Sequence, residues 1–177
     1  SSCSVGQYQD QENSAPATCN QCPKGTFASE EGEASCIGKC SSGKWSDQTG
    51  LSADNQCTDC LAGLYSNKIA QIAITVCQEC EIGTFSSPAA AECEPCLEGS
   101  YQDQKGQPKC PSCPAGWIQN TSIPDFRINP LACEKCGTGS YQDELGKVML
   151  CKLCPAGRHA DTEGLNNLEQ CIFCENG

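Results

Sequence analysis

The stretch that decides the fold is C-L-E-G-S-Y-Q-D-Q-K-G-Q-P-K-C, residues 96–110. Cys96 opens it, Gly99 follows three residues later, Tyr101 two beyond that, and Cys110 closes it. Gly99 marks a sharp turn that needs positive φ, a conformation glycine enters at no steric cost. Ser100, Tyr101 and Gln102 then run extended, and Gly106 marks a second turn before the chain returns. The stretch reads as a short irregular hairpin with a cysteine at each end.

The opening signature, Cys-x2-Gly, occurs ten times: Cys3/Gly6, Cys22/Gly25, Cys40/Gly43, Cys60/Gly63, Cys80/Gly83, Cys96/Gly99, Cys113/Gly116, Cys136/Gly139, Cys154/Gly157 and Cys174/Gly177. Seven signatures carry an aromatic two residues past the glycine: Tyr8, Phe27, Trp45, Tyr65, Phe85, Tyr101 and Tyr141. Consecutive signatures lie 16 to 23 residues apart. The second glycine recurs ten residues after the opening cysteine as Gly32, Gly50, Gly106, Gly146 and Gly164, and Asn13 holds that slot in the first repeat. Self-similarity at a fixed short period means an array of small units. The expected organisation is nine repeats, 3–19, 22–36, 40–57, 60–77, 80–93, 96–110, 113–133, 136–151 and 154–171, with a truncated tenth from 174.

A repeat of about 19 residues lies far below the roughly 40 residues under which a chain needs disulfides, metal or association to hold a fold. Sulfur supplies the substitute. The chain has 19 cysteines in 177 residues, above the roughly 8–10% that marks a disulfide scaffold. That density belongs to an oxidising compartment, so the expected location is extracellular or the cell surface. A unit this small has one large side chain to bury, so the aromatic is expected to lie on a disulfide or on the next repeat's turn.

The net charge is −11, from 22 acidic and 11 basic residues. No Lys/Arg cluster offers a nucleic-acid footprint, and an anionic membrane surface would repel the chain. Glu30, Glu31 and Glu33 do not match the spaced ligands of a calcium loop. The most apolar stretch, Ile69 to Val76, is far too short to span a bilayer. The chain opens and closes inside the repeat pattern, which reads as a mature or excised piece of a longer protein.

Nine cysteine dyads join the repeats: Cys19/Cys22, Cys36/Cys40, Cys57/Cys60, Cys77/Cys80, Cys93/Cys96, Cys110/Cys113, Cys133/Cys136, Cys151/Cys154 and Cys171/Cys174. Pairing each signature cysteine with the next one along gives Cys3–Cys19, Cys22–Cys36, Cys40–Cys57, Cys60–Cys77, Cys80–Cys93, Cys96–Cys110, Cys113–Cys133, Cys136–Cys151 and Cys154–Cys171. An interleaved pairing across neighbouring dyads stays open, because connectivity does not follow from spacing. Paired C-x2-C dyads also suit zinc ribbons, but the glycine–aromatic signature, the acidic charge and a single histidine, His159, weigh against metal. Redox catalysis needs one distinct C-x-x-C site, whereas these dyads are near-equivalent. Nineteen is odd, and in the sequential frame Cys174 is left unpaired or inter-chain.

The strings CPKGTF (22–27), CPAGWI (113–118), CPAGRH (154–159) and GSYQDELG (139–146) resemble the ephrin-receptor-like cysteine repeats. They are similar in turn to the first half of tumour necrosis factor receptor modules and to protist cysteine-rich surface proteins. The resemblance covers the whole chain. It implies a small disulfide-rich fold, mostly irregular with short β-hairpins, arranged as an elongated tandem-repeat rod in which each unit contacts mainly its neighbours. A receptor module also carries a further interleaved cysteine pair, which is absent here.

Departures from the period mark candidate sites. The repeat from Cys113 to Cys133 is the longest; Trp117 precedes the usual aromatic slot, held by Ile118, and NTSIPDFRINPLA is inserted. Asn120-Thr121-Ser122 is an acceptor sequon for N-linked glycan. Asn20-Gln21-Cys22 and Asn55-Gln56-Cys57 are the rare cysteine variant. Phe126, Ile128 and Leu131 form either a small satellite cluster or, with Trp117, a contact patch. NKIAQIAITV, ending at Val76, is the most strand-like run; Ile72, Ile74 and Val76 alternate, and Ile72 and Ile74 are expected on an exposed edge that pairs with another chain or packs on the next repeat. No nucleophile–base set, paired carboxylates or phosphate loop appears.

The expected function is therefore an extracellular, non-enzymatic structural or interaction protein without cofactor: a spacer, surface-coat or filament component associating with itself or with neighbouring proteins. The alternative is a ligand-binding receptor ectodomain.

Overall fold

A computed structural model describes residues 2–9 and 18–175. The Asn13 turn and Gly177 lie outside the described residues. The chain divides into two compact units: Ser1–Cys80 with Ser86–Cys93, and Glu81–Phe85 with Glu94–Gly177. Each is built from the same part, a two-stranded antiparallel hairpin stapled by a disulfide.

In the first unit, Gln7–Tyr8 pairs with Asn20–Gln21, Thr26–Phe27 with Gly38–Lys39, Lys44–Trp45 with Thr58–Asp59, and Leu64–Tyr65 with Gln78–Glu79. The outgoing strand ends on the signature aromatic, and the return strand consists of residues inside a cysteine dyad. That placement explains the C-x2-C spacing. Side chains alternate faces along an extended strand, so positions i and i+3 point to opposite sides. Cys57 thus faces back to bond Cys40, while Cys60 faces forward to bond Cys77. The odd dyad, Cys36/Cys40, keeps the same two-residue strand, and its extra residue, Ile37, stays outside the ladder at 76% exposure. Gly38 lies under the Phe27 ring, which a Cβ there would strike.

The second unit repeats the plan. Thr84–Phe85 pairs with Glu94–Pro95, Trp117–Gln119 with Cys133–Lys135, Ser140–Tyr141 with Lys152–Leu153, and Arg158–His159 with Ile172–Phe173. The sixth repeat keeps a single bridge, Ser100 to Ser112. The disulfides are Cys3–Cys19, Cys22–Cys36, Cys40–Cys57, Cys60–Cys77, Cys80–Cys93, Cys96–Cys110, Cys113–Cys133, Cys136–Cys151 and Cys154–Cys171. Each closes a loop whose chain-entropy contribution is at most about 3 kcal/mol.

Three backbone hydrogen bonds recur and stack the repeats. First, the opening cysteine N–H donates to the preceding signature glycine: Cys22 to Gly6 at 2.9 Å, Cys60 to Gly43 at 2.8 Å, Cys113 to Gly99 at 2.8 Å and Cys154 to Gly139 at 2.9 Å. Second, the hairpin tip donates to the opening cysteine carbonyl of the previous repeat: Gly32 to Cys3 at 2.8 Å, Gly50 to Cys22 at 2.9 Å, Gly146 to Cys113 at 2.9 Å and Gly164 to Cys136 at 2.7 Å. Third, the signature glycine donates to the residue after the next aromatic slot: Gly6 to Ala28 at 2.8 Å, Gly43 to Ser66 at 2.7 Å, and Gly116 to Gln142 at 2.7 Å. The tip must turn with positive φ to make its bond. Where glycine is missing, Ala70 (φ 56) and Ala89 (φ 58) adopt the left-handed conformation in its place.

The core is mostly sulfur. From Cys3 to Cys136, every opening cysteine is at most 1% exposed. Phe27 packs on Cys40, Leu51 and Cys57 of the following repeat, and Tyr141 on Ala160, Leu165 and Cys171. Each of these two aromatics therefore covers the next repeat's disulfide, burying the faces of both partners.

One expectation is corrected. NKIAQIAITV is not a strand: Gln71 makes one bridge, to Trp45, and Ile74–Val76 forms a 3-10 turn. The chain must reverse to bring Cys77 onto Cys60, and among the described residues no second strand lies alongside. The same turn precedes Cys57, Cys133 and Cys171. Contacts also extend past adjacent repeats. A Cβ on Gly6 would meet the Gly50 carbonyl, and one on Gly25 would lie 2.6 Å from the Ala70 oxygen. In the second unit Gly99 abuts Gly146, and Gly116 abuts Gly164. Gly50, Ala70, Ala89, Gly146 and Gly164 thus each bond the repeat before and seat a carbonyl on the signature turn of the repeat before that.

Candidate interaction surface

The long seventh repeat departs from this scheme. Its strands have three residues each, with Trp117 opposite Lys135, Ile118 opposite Glu134 and Gln119 opposite Cys133. The Lys135 ammonium lies 5.5 Å from the Trp117 ring centre, a cation–π contact on the outer face. Its 3-10 turn, Pro130–Ala132, is capped by the Asn129 side chain, which accepts from the Leu131 N–H. Asp125 turns the inserted loop with φ 58.

No glycine stands ten residues after Cys113; that position is Ile123. The second recurring bond is made by a side chain instead. Arg127 Nε donates to the Cys96 carbonyl at 2.9 Å, the acceptor a hairpin tip would otherwise occupy. The third bond is replaced too. Gly99 N–H donates to the side-chain Oε1 of Gln119 at 2.6 Å rather than to a backbone carbonyl. Gln119 is fully buried, and its Nε2 donates to Ser100 O at 2.9 Å and Phe126 O at 3.3 Å. One amide thereby ties the sixth repeat's turn to the inserted loop. A buried amide is tolerated only when its groups are partnered, and this one is.

The loop lies over the fifth repeat's signature. Ile128 Cγ2 would be 2.6 Å from a Cβ on Gly83. The Arg127 guanidinium stacks 4.6 Å from the Phe126 ring centre. Ile82, Gly83, Thr84, Pro95 and residues 125–128 line an open hollow of about 300 Å³. The result is a half-buried apolar surface with a fixed cation, on a chain of net charge −11. Apolar contact with a charged rim suits a protein partner.

Trp117, Phe126 and Ile128 are thus all on the seventh repeat and half-buried, with Phe126 and Ile128 sharing the hollow. Leu131 is outside it, 78% exposed. Ile72 and Ile74 belong to the first unit, each 54% exposed. Asn120 is half-buried, its Nδ2 3.0 Å from Glu134 Oε1. Cys174 is a free, exposed thiol, with Sγ 3.8 Å from His159 Nδ1; His159 Nε2 lies 3.4 Å from Asp161 Oδ2.

Sequence reasoning missed Gln119, Arg127 and Glu134. A signal for the first existed: the residue after the aromatic slot is buried in most repeats, as Ala28, Ser46, Ser66, Ser86, Gln102, Gln119, Gln142 and Ala160. In the first unit, Asp54 ties a hairpin together. It accepts from Ser41 N at 2.7 Å and Ser41 Oγ at 3.0 Å and pairs with Lys44 Nζ at 3.0 Å. Burial pushes its carboxyl up, but the Ser41 N–H, Lys44 and the Ser41 hydroxyl together outweigh that and hold it below the usual range.

No helix among the described residues is long and apolar enough to cross a membrane. The family model for Tyrosine-protein kinase ephrin type A/B receptor-like repeats matches residues 83–123 and 128–171. The break between the matches, 124–127, falls on the inserted loop that holds Phe126 and Arg127. Modules of this class are non-catalytic and extracellular, and the disulfide density agrees with that compartment. Over residues 83–123 and 128–171 this chain is therefore similar to ephrin-receptor-like cysteine-rich repeats, a module class that suggests an extracellular interaction domain.

Proposed function

We propose that this protein is a non-enzymatic extracellular repeat protein that serves as a spacer, surface-coat or filament component, associating with itself or with neighbouring proteins. The observation that carries this reading is the recurring backbone ladder. Within each compact unit, hairpins cohere through recurring main-chain bonds and signature-turn glycines, so much the same interface is used repeatedly. The exposed apolar residues are distributed along it, including Ile37, Leu61, Ile72, Ile74, Leu97 and Leu153, which suits lateral contact better than capture of one small ligand.

The competing reading is a ligand-binding receptor ectodomain, favoured by the receptor named in the family description and by the loop over Gly83. Electron microscopy and sedimentation of the purified, oxidised chain separate the two. Concentration-dependent assemblies support the structural role. A monomer at all concentrations, together with saturable binding of a soluble protein lost on Phe126→Ser, would favour the receptor.

A further inference from the structure

We infer that Asn120 carries an N-linked glycan whose first N-acetylglucosamine rests in a hollow of this chain. Asn120-Thr121-Ser122 is the one Asn-x-Ser/Thr sequon in the sequence. The other two asparagine sequons end on Cys22 and Cys57, both in disulfides.

Asn120 follows the long strand of the seventh repeat. Its main chain is held by the Ala132 carbonyl, which accepts from Asn120 N at 2.7 Å. Its side chain leaves the hairpin beside Ile118, Ser122, Glu134 and Met149, which with it line an open hollow of about 300 Å³. Met149 is 52% exposed there, and Thr121 Oγ1 donates to its Sδ at 3.3 Å. Asn120 Oδ1 accepts from Ser122 N at 3.0 Å, and Nδ2 donates to Glu134 Oε1 at 3.0 Å. An amide nitrogen has two hydrogens. Glycosylation consumes one and leaves the other for Glu134. The hollow offers a sugar two apolar side chains and one carboxylate acceptor, the combination that fixes a small polar ligand with an apolar face.

The reaction is transfer from a polyisoprenyl-pyrophosphate oligosaccharide by the transferase of the secretory route. The bond from Asn120 Nδ2 to sugar C1 forms as the bond from C1 to the pyrophosphate oxygen breaks. The amide loses one proton, and the polyisoprenyl pyrophosphate departs. No electron is gained or lost.

The inference rests on the extracellular reading, and its test separates the two. The chain is secreted from a eukaryotic host and treated with peptide N-glycosidase. The expected result is one glycan, removed by the enzyme, mapped to Asn120 and absent from both Asn120→Gln and Ser122→Ala. The second variant keeps the asparagine and its bond to Glu134. A secreted, fully oxidised chain without sugar overturns the glycan and leaves the extracellular reading standing. Accumulation only as a reduced, unsecreted chain overturns both. After trimming to one sugar, the Met149 methyl resonance should move relative to Ser122→Ala; an unmoved methyl overturns the placement in the hollow.

Discussion

Replacing Gln119 with leucine should loosen the second unit at a contact between the sixth and seventh repeats that no disulfide spans. The side chain is 0% exposed and makes three hydrogen bonds: from Gly99 N at 2.6 Å, and to Ser100 O at 2.9 Å and Phe126 O at 3.3 Å. Leucine has similar bulk and no polar atoms. The Gly99 N–H would then be buried without a partner, at a cost of about 1–3 kcal/mol. The long bond to Phe126 adds at most about 0.5 kcal/mol, and Ser100 O is half-exposed and regains water. A loss of about 2 kcal/mol follows, which is roughly thirtyfold in an opening equilibrium. Amide hydrogen exchange reads it directly. Gly99 should exchange about thirtyfold faster and residues 125–128 should become protease-sensitive, while Gly43, in the other unit, stays as it was. Unchanged protection at Gly99 in a folded Gln119→Leu chain would refute the argument that a side chain has replaced the backbone rung.

Turn glycines give a matched pair. Gly99→Ala (φ 85) drives its Cβ into the Gly146 carbonyl, whereas Gly139→Ala (φ 74) meets nothing within 4 Å. Both carry the left-handed penalty of about 1–2 kcal/mol; only Gly99→Ala should cost clearly more in denaturant unfolding, and equal costs would sink the packing across alternate repeats. Arg127→Leu should raise exchange at residues 125–128 and strip cover from the Cys96 carbonyl, while Arg127→Lys restores little, because an ammonium does not place Nε at 2.9 Å. Asp54 contributes to stability above its unfolded pKa of about 3.9, and that contribution is lost as pH falls through its lower folded value. Acid unfolding should therefore lose this component in Asp54→Asn, and an identical pH profile for the two chains would contradict it. Ile72→Lys with Ile74→Lys should weaken any self-association seen in sedimentation; unchanged assembly would remove that face from consideration.

What could be read in the residues is the local part. The hairpin with a turn glycine at each corner is legible because positive φ selects for glycine, and fourteen described glycines have it. The dyads are legible because cysteine is chemically distinct. The Ile72–Val76 strand was misread because alternation suggests a sheet only when a partner strand exists. Leu131, 78% exposed, does not join a satellite cluster, because apolar residues in a loop need not pack together. Arg127 was invisible because an arginine in a surface-like insertion carries no mark of the carbonyl it bonds, and Gln119 was missed because only its slot after the aromatic position, not its residue type, marks it.

The sequence by itself determined the repeat, its sulfur spacing and its turns, since these depend on properties that belong to single residue types: a thiol that can bond, a residue without Cβ, a flat ring. Only the tertiary structure decided which repeats touch, because the ladder joins N–H and C=O groups that every residue other than proline presents alike. The tip of one hairpin on the turn two repeats earlier, and the buried amide that replaces a rung at Gly99, follow from where the chain runs in space.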